Sequence, residues 1–519
     1  MADLERRHLP VIPSHNANPL LDDPRLESLT SWDADWGGLR VVVVGIGISG
    51  FAAADTLIEL GARVVVVDGK DTEETRAKAE TLKIVGAAEV LLGEQAMTSL
   101  PTVDGQPAEL VVTSPGLRPD QSLLADAVAN KVQIWGDVEL AWRIRTREGR
   151  KTAEWVCITG TNGKTTTVQM TEAMLQAGDL KAIAVGNVGT PILDALRDPV
   201  DYDLLAVELS SFQLHWQYSV SPLAAVCLNV AEDHVDWHGG FEEYVADKSR
   251  IYEHCKVAAI FNVADDRTLR MVEEADVIEG CRAIGFTAGH PEPSMLGVVE
   301  DLLVDRAFLD DRRNQALELA AVTDIKPVPT VHGVANALAA AALARAAGVD
   351  ADKVGDGLRA FEPGAHRIQP VAKTNGVLWI NDTKATNPHA ANASLSAFEP
   401  VVWIAGGLSK GTDSHELVAK HAGRLRAVVL IGTDNQNLLD ALEQSAPGVP
   451  VIPAASPETD VHDGDAVMAM AVQEAHRVAV DGDTVLLAPA AASMDQFRDY
   501  VHRGEAFTAS VADLVERLS

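Results

Sequence analysis

Apolar runs of four to six residues recur along the chain, and each stops at a small or polar cluster before a stretch with helical spacing begins. The first block holds RVVVV from Arg40 and RVVVVD from Arg63, with an alanine-rich segment between them, then AELVVTSPG and QIWGDVELAWRI. The second opens on WVCITG and continues through LKAIAVGNVG, YDLLAVELSSFQ and LAAVCLNVAEDH. The third contains VLWIND, PVVWIAGG, RAVVLIG and DTVLLAPA. Strands that are apolar at nearly every position, not at every second one, are buried on both faces, which predicts parallel sheets covered by helices. The fold class is therefore α/β in three domains. The polar stretch RTREGRKTAE and the segment FEPGAHR mark the boundaries, giving a leader at 1–38 and domains at 39–150, 151–363 and 364–519. The leader reads as poorly structured with at most one short helix, and 285–330 as surface turns and short strands. VHGVANALAAAALARAAG reads as a helix closed by Gly348.

The polar clusters sit where strands end: GIGISG, TSPG, TGTNGKT, VELSS, NVAEDH, NDTKATN, AGGLSKG and APAAAS. Open α/β sheets bind ligands at the carboxyl ends of their strands, so these clusters are where chemistry belongs. Gly160, Thr161, Asn162, Gly163, Lys164, Thr165 and Thr166 form a strand–loop–helix junction close to the P-loop spelling but shorter in its spacing. Such a junction fits a phosphate chain, with Lys164 on the terminal phosphates and a threonine hydroxyl on magnesium; the alternative is a Gly/Thr turn with a solvated lysine. Gly45, Gly47 and Gly50 spell G-x-G-x-x-G, and Asp68 ends the next strand. This is a nucleotide-type Rossmann turn, or else a tight turn whose acid only caps a helix. Glu208 is a candidate magnesium ligand or a capping acid. His234 lies among acids, and Lys248 lies in a helix-like stretch where a solvated surface lysine is the ordinary expectation. Ser493 reads as an N-cap and Phe497 as core.

Length and charge narrow the choice. A chain of 519 residues suits three domains of roughly 150 residues each. A net charge of −32 argues against nucleic acid or an anionic membrane as partner. It does not forbid a phosphate site, because charges beyond about 8 Å are largely screened at physiological salt. The four cysteines (Cys157, Cys227, Cys255 and Cys281) are scattered without C-x-x-C spacing, which fits a reducing cytoplasm. No apolar run reaches the ~18 residues of a membrane span.

Taken in order, GTNGKT, VELSSFQL, NVAEDHVD, YVADKSRIYE, NDTKATNP and LLAPAAASMDQF resemble the Mur ligase family over roughly residues 38–519, and the third-block motifs are most similar to its D-glutamate-adding branch. The resemblance implies a Rossmann-like first domain for UDP, a P-loop-type central domain for ATP, and a Rossmann-like third domain for the amino acid. It implies a uridine diphosphate site at Gly47, Ser49, Asp68, Ser114, Pro115 and Gly116, with Asn187 facing the muramoyl side. ATP would lie on Gly160–Thr166 and on Asn336, Arg367, Asp382 and Lys384. Two magnesium ions would be held by Thr165, Glu208, His234 and an N-carboxylated Lys248, and D-glutamate by Thr386, Lys410, Ser493 and Phe497. The implied catalytic residues are Lys164, Lys248 and His234. The implied enzyme is a cytoplasmic monomer acting on small molecules: it activates the carboxylate of UDP-N-acetylmuramoyl-L-alanine as an acyl phosphate, then joins it to D-glutamate. Gln369 stands where the family often has an acid. A sibling ligase adding another amino acid, and a nicotinamide oxidoreductase built on GIGISG, are the competing readings. The second leaves the 159–166 loop without purpose.

Overall fold

The computed structural model describes residues 23–187, 189–326, 329–364, 366–409, 412–454 and 463–518. The first sheet consists of β1 (Arg40–Val44), β2 (Arg63–Asp68), β3 (Glu89–Leu92), β4 (Leu110–Thr113) and β5 (Gln133–Gly136), in the order β3-β2-β1-β4-β5 and parallel throughout. The valines of β1 and the central four of β2 are all buried, as an apolar run covered on both faces requires. The G-x-G-x-x-G turn follows β1. A Cβ added to Gly50 would lie 2.0 Å from the Gly45 carbonyl oxygen, so this close packing of loop on helix Ile48–Glu59 admits only glycine.

Residues 23–38 depart from the expected loose leader. Helix Pro24–Ser28 is capped by Asp23, and Leu26, Leu29 and Trp36 are fully buried. Trp36 meets Trp135 edge-on at 6.5 Å. Arg143 ties the segment down by donating to the Leu26 carbonyl at 2.8 Å. Buried Glu139 links this domain to the next: it accepts from Arg143 Nε (2.8 Å), Ser219 Oγ (2.6 Å) and the Tyr218 and Ser219 N–H groups. The expectation for residues 1–22 lies outside the described residues.

The central sheet is built on β6 (Glu154–Thr159), β7 (Ala182–Gly186), β8 (Leu204–Glu208), β9 (Ala224–Cys227), β10 (Ala258–Asn262), β11 (Arg282–Phe286), β12 (Met295–Val299), β13 (Leu302–Asp305) and β14 (Leu317–Ala321), ordered β14-β13-β12-β11-β10-β9-β6-β8-β7. Its β7–β12 portion is parallel, but β12, β13 and β14 pair antiparallel. The stretch expected as surface turns and short strands does contain short strands, and they extend the sheet: a tight turn joins β12 to β13, residues 306–316 join β13 to β14, and such antiparallel neighbours need no helical crossover. Helices Lys164–Ala177 and Val331–Ala346 pack on one face; the second is alanine-rich and buried over most of its length.

The third sheet contains β15 (Gln369–Thr374), β16 (Val377–Asn381), β17 (Val401–Ala405), β18 (Leu425–Leu430), β19 (Val451–Pro453) and β20 (Thr484–Leu487), in the order β15-β16-β20-β17-β18-β19. Only the edge pair β15–β16 is antiparallel. Among the described residues, no helix is long and apolar enough to cross a membrane.

Candidate active site

Strand order brings the central clusters together. β6 lies between β9 and β8, so the loops after β6, β8 and β9 open side by side. Facing them are the loop after β16 and helix Pro388–Ala397 of the third domain. Between the two lies a cavity of about 330 Å³ lined by Thr161–Thr166, Asn187, Glu208, His234, Asn336, Arg367, Asp382, Lys384 and Thr386, together with Asn229, Asp233, Asn387 and His389. Lys164, Glu208 and His234 therefore share one space with the candidate nucleotide residues of the third domain.

Gly163 starts helix Lys164–Ala177 with φ 89°, and no side chain caps the helix. Uncapped first-turn N–H groups and the positive end of the helix dipole suit an anion. A Cβ at Gly163 would meet Asn336 Oδ1 at 2.5 Å, so this position needs glycine both for its backbone and for its space. The loop is pinned from below: Thr161 Oγ1 pairs with the Tyr244 hydroxyl at 2.8 Å and accepts from the Ala231 N–H at 2.9 Å. Asn162 and Asn229 exchange two hydrogen bonds, each 3.0 Å.

Lys164 Nζ folds back onto the carbonyls of Gly160 (2.8 Å) and Thr161 (3.0 Å). Burial pushes its pKa down, partly opposed by Glu208 and Asp233. Lys248 is almost wholly buried, at 2 % exposure, contrary to the surface lysine its local sequence suggests. It lies under the loop: its amine donates to the same Gly160 carbonyl at 3.1 Å and stands 4.7 Å from the centre of the Tyr244 ring. Burial, with Lys164 next, pushes its pKa down to about 7. An amine in that state is substantially neutral near pH 7, which N-carboxylation requires.

Glu208 is 1 % exposed. Its Oε1 accepts from Asn187 Nδ2 at 3.0 Å, while Oε2 is buried with no hydrogen-bond partner among the described residues. A buried, unsatisfied carboxylate oxygen is costly and fits a hard cation in the cavity. No group of three or more His, Cys, Asp or Glu side chains forms a ready-made metal cluster among the described residues. Magnesium tolerates this, because it usually keeps waters and substrate phosphates as ligands. His234 is in the left-handed conformation (φ 52°), with its ring 4.8 Å from that of Phe212.

On the third-domain side, Asp382 accepts from the Ile368 N–H at 3.1 Å and from the Ser394 hydroxyl, and burial pushes its pKa up. Burial pushes the Arg367 guanidinium down. Lys384 Nζ sits 3.7 Å from the Tyr500 ring centre; burial and then Arg367 bring its pKa to about 8. Lys164, Lys326, Arg367 and Lys384 thus line one cavity of a chain whose net charge is −32.

The other candidates lie apart. Asp68 receives the Ile46 and Lys70 N–H groups, each at 2.8 Å, so one oxygen holds the glycine turn and the other the loop after β2. The Ser114 hydroxyl is buried without a hydrogen-bond partner among the described residues, and Ser49, Pro115 and Gly116 do not line the cavity. Gly47 lies on a different groove, beside Phe51 and Asp55. Ser493 and Phe497 are buried outside the cavity; Ser493 caps no helix, and its carbonyl accepts from the Phe497 N–H at 2.9 Å. Lys410 lies outside the described residues.

Three features escaped the sequence reading. Asp247 is buried between His215 Nδ1 (2.9 Å) and His238 Nδ1 (2.7 Å), at the base of the Lys248 helix. Arg503, fully buried, donates to the Thr383 hydroxyl and to the Thr383 and Ala491 carbonyls, fastening the loop after β16 to the loop after β20. His389 reaches across to the phosphate loop. The only sequence signal for any of them was the Asn-Pro start of the helix bearing His389.

The fold and cavity define a three-domain ligase of the Mur type. Solved structures share this fold: UDP-N-acetylmuramoylalanyl-D-glutamyl-2,6-diaminopimelate–D-alanyl-D-alanyl ligase from Acinetobacter baumannii has a TM-score of 0.54 at 17 % identity, covering 92 % of this chain and 93 % of that one. UDP-N-acetylmuramate–alanine ligase from Thermotoga maritima has a TM-score of 0.52 at 19 % identity, covering 91 % and 99 %. The family profiles for the Mur ligase MurD-like N-terminal domain, the Mur ligase middle domain and the Mur ligase glutamate ligase domain match residues 39–136, 158–344 and 366–491. Similar sequences include the UDP-N-acetylmuramoylalanine–D-glutamate ligases of Streptomyces avermitilis (55 % identity, 92 % of this chain and 99 % of that one) and Leifsonia xyli subsp. xyli (51 %, 94 % and 95 %). The chain belongs to the Mur ligase family, on its MurD-type branch.

Proposed function

We propose that the chain is an ATP-dependent ligase forming an amide between the carboxylate of UDP-N-acetylmuramoyl-L-alanine and the amine of D-glutamate, a step in peptidoglycan precursor synthesis. Its relatives' names support the substrates. The observation that carries the chemistry is the single cavity shared by Lys164, Glu208, His234, Arg367, Asp382 and Lys384.

A carboxylate oxygen of the muramoyl substrate attacks the γ-phosphorus of ATP; the bond to the β-phosphate oxygen breaks, giving an acyl phosphate and ADP. The D-glutamate amine then attacks the acyl carbon, loses a proton, and expels phosphate as the amide forms. Bringing a carboxylate to a triphosphate is electrostatically unfavourable, so the task is positioning and charge neutralisation. Gly160–Thr166 cradle the phosphates, with Lys164 turning from its loop carbonyls to the γ-phosphate. Asn336, Arg367, Asp382 and Lys384 hold the nucleotide. Magnesium would be held by Thr165 and Glu208, and a second ion by His234 and N-carboxylated Lys248; bound there, the metal would neutralise phosphate charge. Gly47, Ser49, Asp68, Ser114, Pro115 and Gly116 take the uridine diphosphate, with Asn187 toward the muramoyl end. Thr386, Lys410, Ser493 and Phe497 take D-glutamate. The partners are these small molecules alone, and the enzyme works as a cytoplasmic monomer. Its four free thiols suit a reducing compartment.

The test is ADP release with each substrate omitted in turn. Turnover that requires both UDP-N-acetylmuramoyl-L-alanine and D-glutamate is expected. Turnover with L-glutamate or another amino acid in its place would assign a sibling activity, and indifference to the muramoyl substrate would overturn the proposal.

A further inference from the structure

One contact between domains follows from neither the motif spelling nor the chemistry above. Asn162, at the tip of the phosphate loop, is held on its backbone by Asn229 of its own domain. Its side chain is held by the third domain: Asn387 Nδ2 donates to Asn162 Oδ1 at 3.3 Å, and Asn162 Nδ2 pairs with His389 Nδ1 at 2.9 Å. The direction of this chain is fixed at one end. Asn387 is the N-cap of helix Pro388–Ala397, and its Oδ1 accepts the Ala390 backbone N–H at 2.8 Å. A backbone N–H can only donate, so Asn387 presents its amide NH₂ to Asn162. Asn162 must then offer its oxygen to Asn387 and its own NH₂ to His389, which leaves His389 Nδ1 as a lone-pair acceptor.

His389 is built for that state. Burial pushes its pKa down; Asp265 opposes this and Lys420 adds to it. The neighbouring ring of His332, 5.8 Å away on helix Val331–Ala346, is likewise pushed down by burial. Pro388 at the first helical position fixes the backbone and has no N–H of its own to satisfy, so the His389 side chain emerges one residue past a rigid start.

We infer that His389 is a positioning residue: as a neutral acceptor it latches the third domain onto Asn162 and so holds the phosphate loop in register with Asp382 and Lys384. The role rests on the proposed phosphoryl-transfer function of the cavity. His389 touches neither the reacting atoms nor any proposed metal ligand. Its contribution is to join the two walls of the cavity during turnover.

Two readouts on the full-length protein test this. In steady-state kinetics, His389→Ala should lower kcat by about tenfold, the scale of one lost hydrogen bond in a closed state, with KM for UDP-N-acetylmuramoyl-L-alanine within twofold. His389→Gln, whose amide oxygen can accept in place of Nδ1, should recover kcat to within about twofold. In hydrogen–deuterium exchange, amides of residues 160–166 should exchange faster in His389→Ala than in wild type, and at the wild-type rate in His389→Gln. A His389→Ala enzyme with unchanged kcat and unchanged loop exchange would overturn the latch, as would a His389→Gln enzyme that behaves like the alanine variant. If wild type itself makes no ligation product, the functional reading fails, and the exchange measurement alone decides the latch.

Discussion

Asn187 donates from Nδ2 to Glu208 Oε1 at 3.0 Å, leaving Oε2 of the same carboxylate buried and without a partner among the described residues. One oxygen is thereby fixed in direction and the other held available. Glu208→Gln preserves shape but removes the charge. Activity should fall by at least about hundredfold, while Tm changes little, because Oε2 makes no hydrogen bond among the described residues that the substitution would break. Thermal unfolding measured beside ADP release checks this; a parallel loss of Tm and activity would make Glu208 structural.

Lys164 should be indispensable. Its amine now rests on two loop carbonyls that it can exchange for phosphate oxygens without moving the helix. Lys164→Ala should reduce kcat by at least about hundredfold. Nucleotide titration by calorimetry should show weakened ATP binding in the same variant. Near-normal rates would refute the loop assignment.

Lys248 makes a pH prediction. Its pKa is about 7 in the folded chain, below the ordinary lysine value. Between about pH 7 and the unfolded lysine value near 10.4, the unfolded state holds the extra proton, so this residue makes stability rise with pH across that window. Chemical denaturation at pH 7 and pH 9.5 should show that rise in wild type and a smaller one in Lys248→Met. If the neutral amine is N-carboxylated, Lys248→Ala should lose activity that short carboxylic acids partly restore, and ¹³C-bicarbonate should give a carbamate signal in wild type alone.

Arg503 carries a prediction of a different kind. It is a fully buried cation with no ion pair among the described residues, its pKa lowered by burial to about 9, and its hydrogen bonds end on Thr383 and Ala491. Arg503→Met would leave two buried carbonyls short of donors, at a cost of roughly 3 kcal/mol. The urea midpoint should drop, and activity should fall even where the chain remains folded, because the loop carrying Asp382 and Lys384 loses its anchor.

The strand–helix alternation and the 159–166 loop were legible because both are local: a valine run and a Gly-Thr-Asn-Gly-Lys junction each declare their backbone within a few residues. The positions of Glu208, at the end of β8, and Asp382, just past the end of β16, were legible because strand ends are local. What stayed hidden depends on partners distant in sequence. Lys248 reads locally as surface because its burial is imposed by Tyr244 and by the underside of the Gly160 loop. His389 meets Asn162 across 227 positions, and Arg503 meets Thr383 across 120. The one short helix allowed for the leader is there, at Pro24–Ser28, but its packing was hidden because Leu26 and Leu29 become core only when Trp36 and Arg143 close over them. The β12–β14 edge was legible as short strands among turns but not as part of the central sheet, because its strands are short and partly polar, as strands at a sheet margin tend to be.

The walls of the cavity differ in how they are joined. One is a continuous ladder in which β9, β6 and β8 hydrogen-bond strand to strand, while the opposite wall meets it at the phosphate-loop tip through the amides of Asn162 and Asn387 and one imidazole. A small molecule lodged in that seam would act as a wedge, holding the halves apart without resembling a nucleotide, a sugar or an amino acid; because the same three residues line the nucleotide cavity, ATP would oppose it.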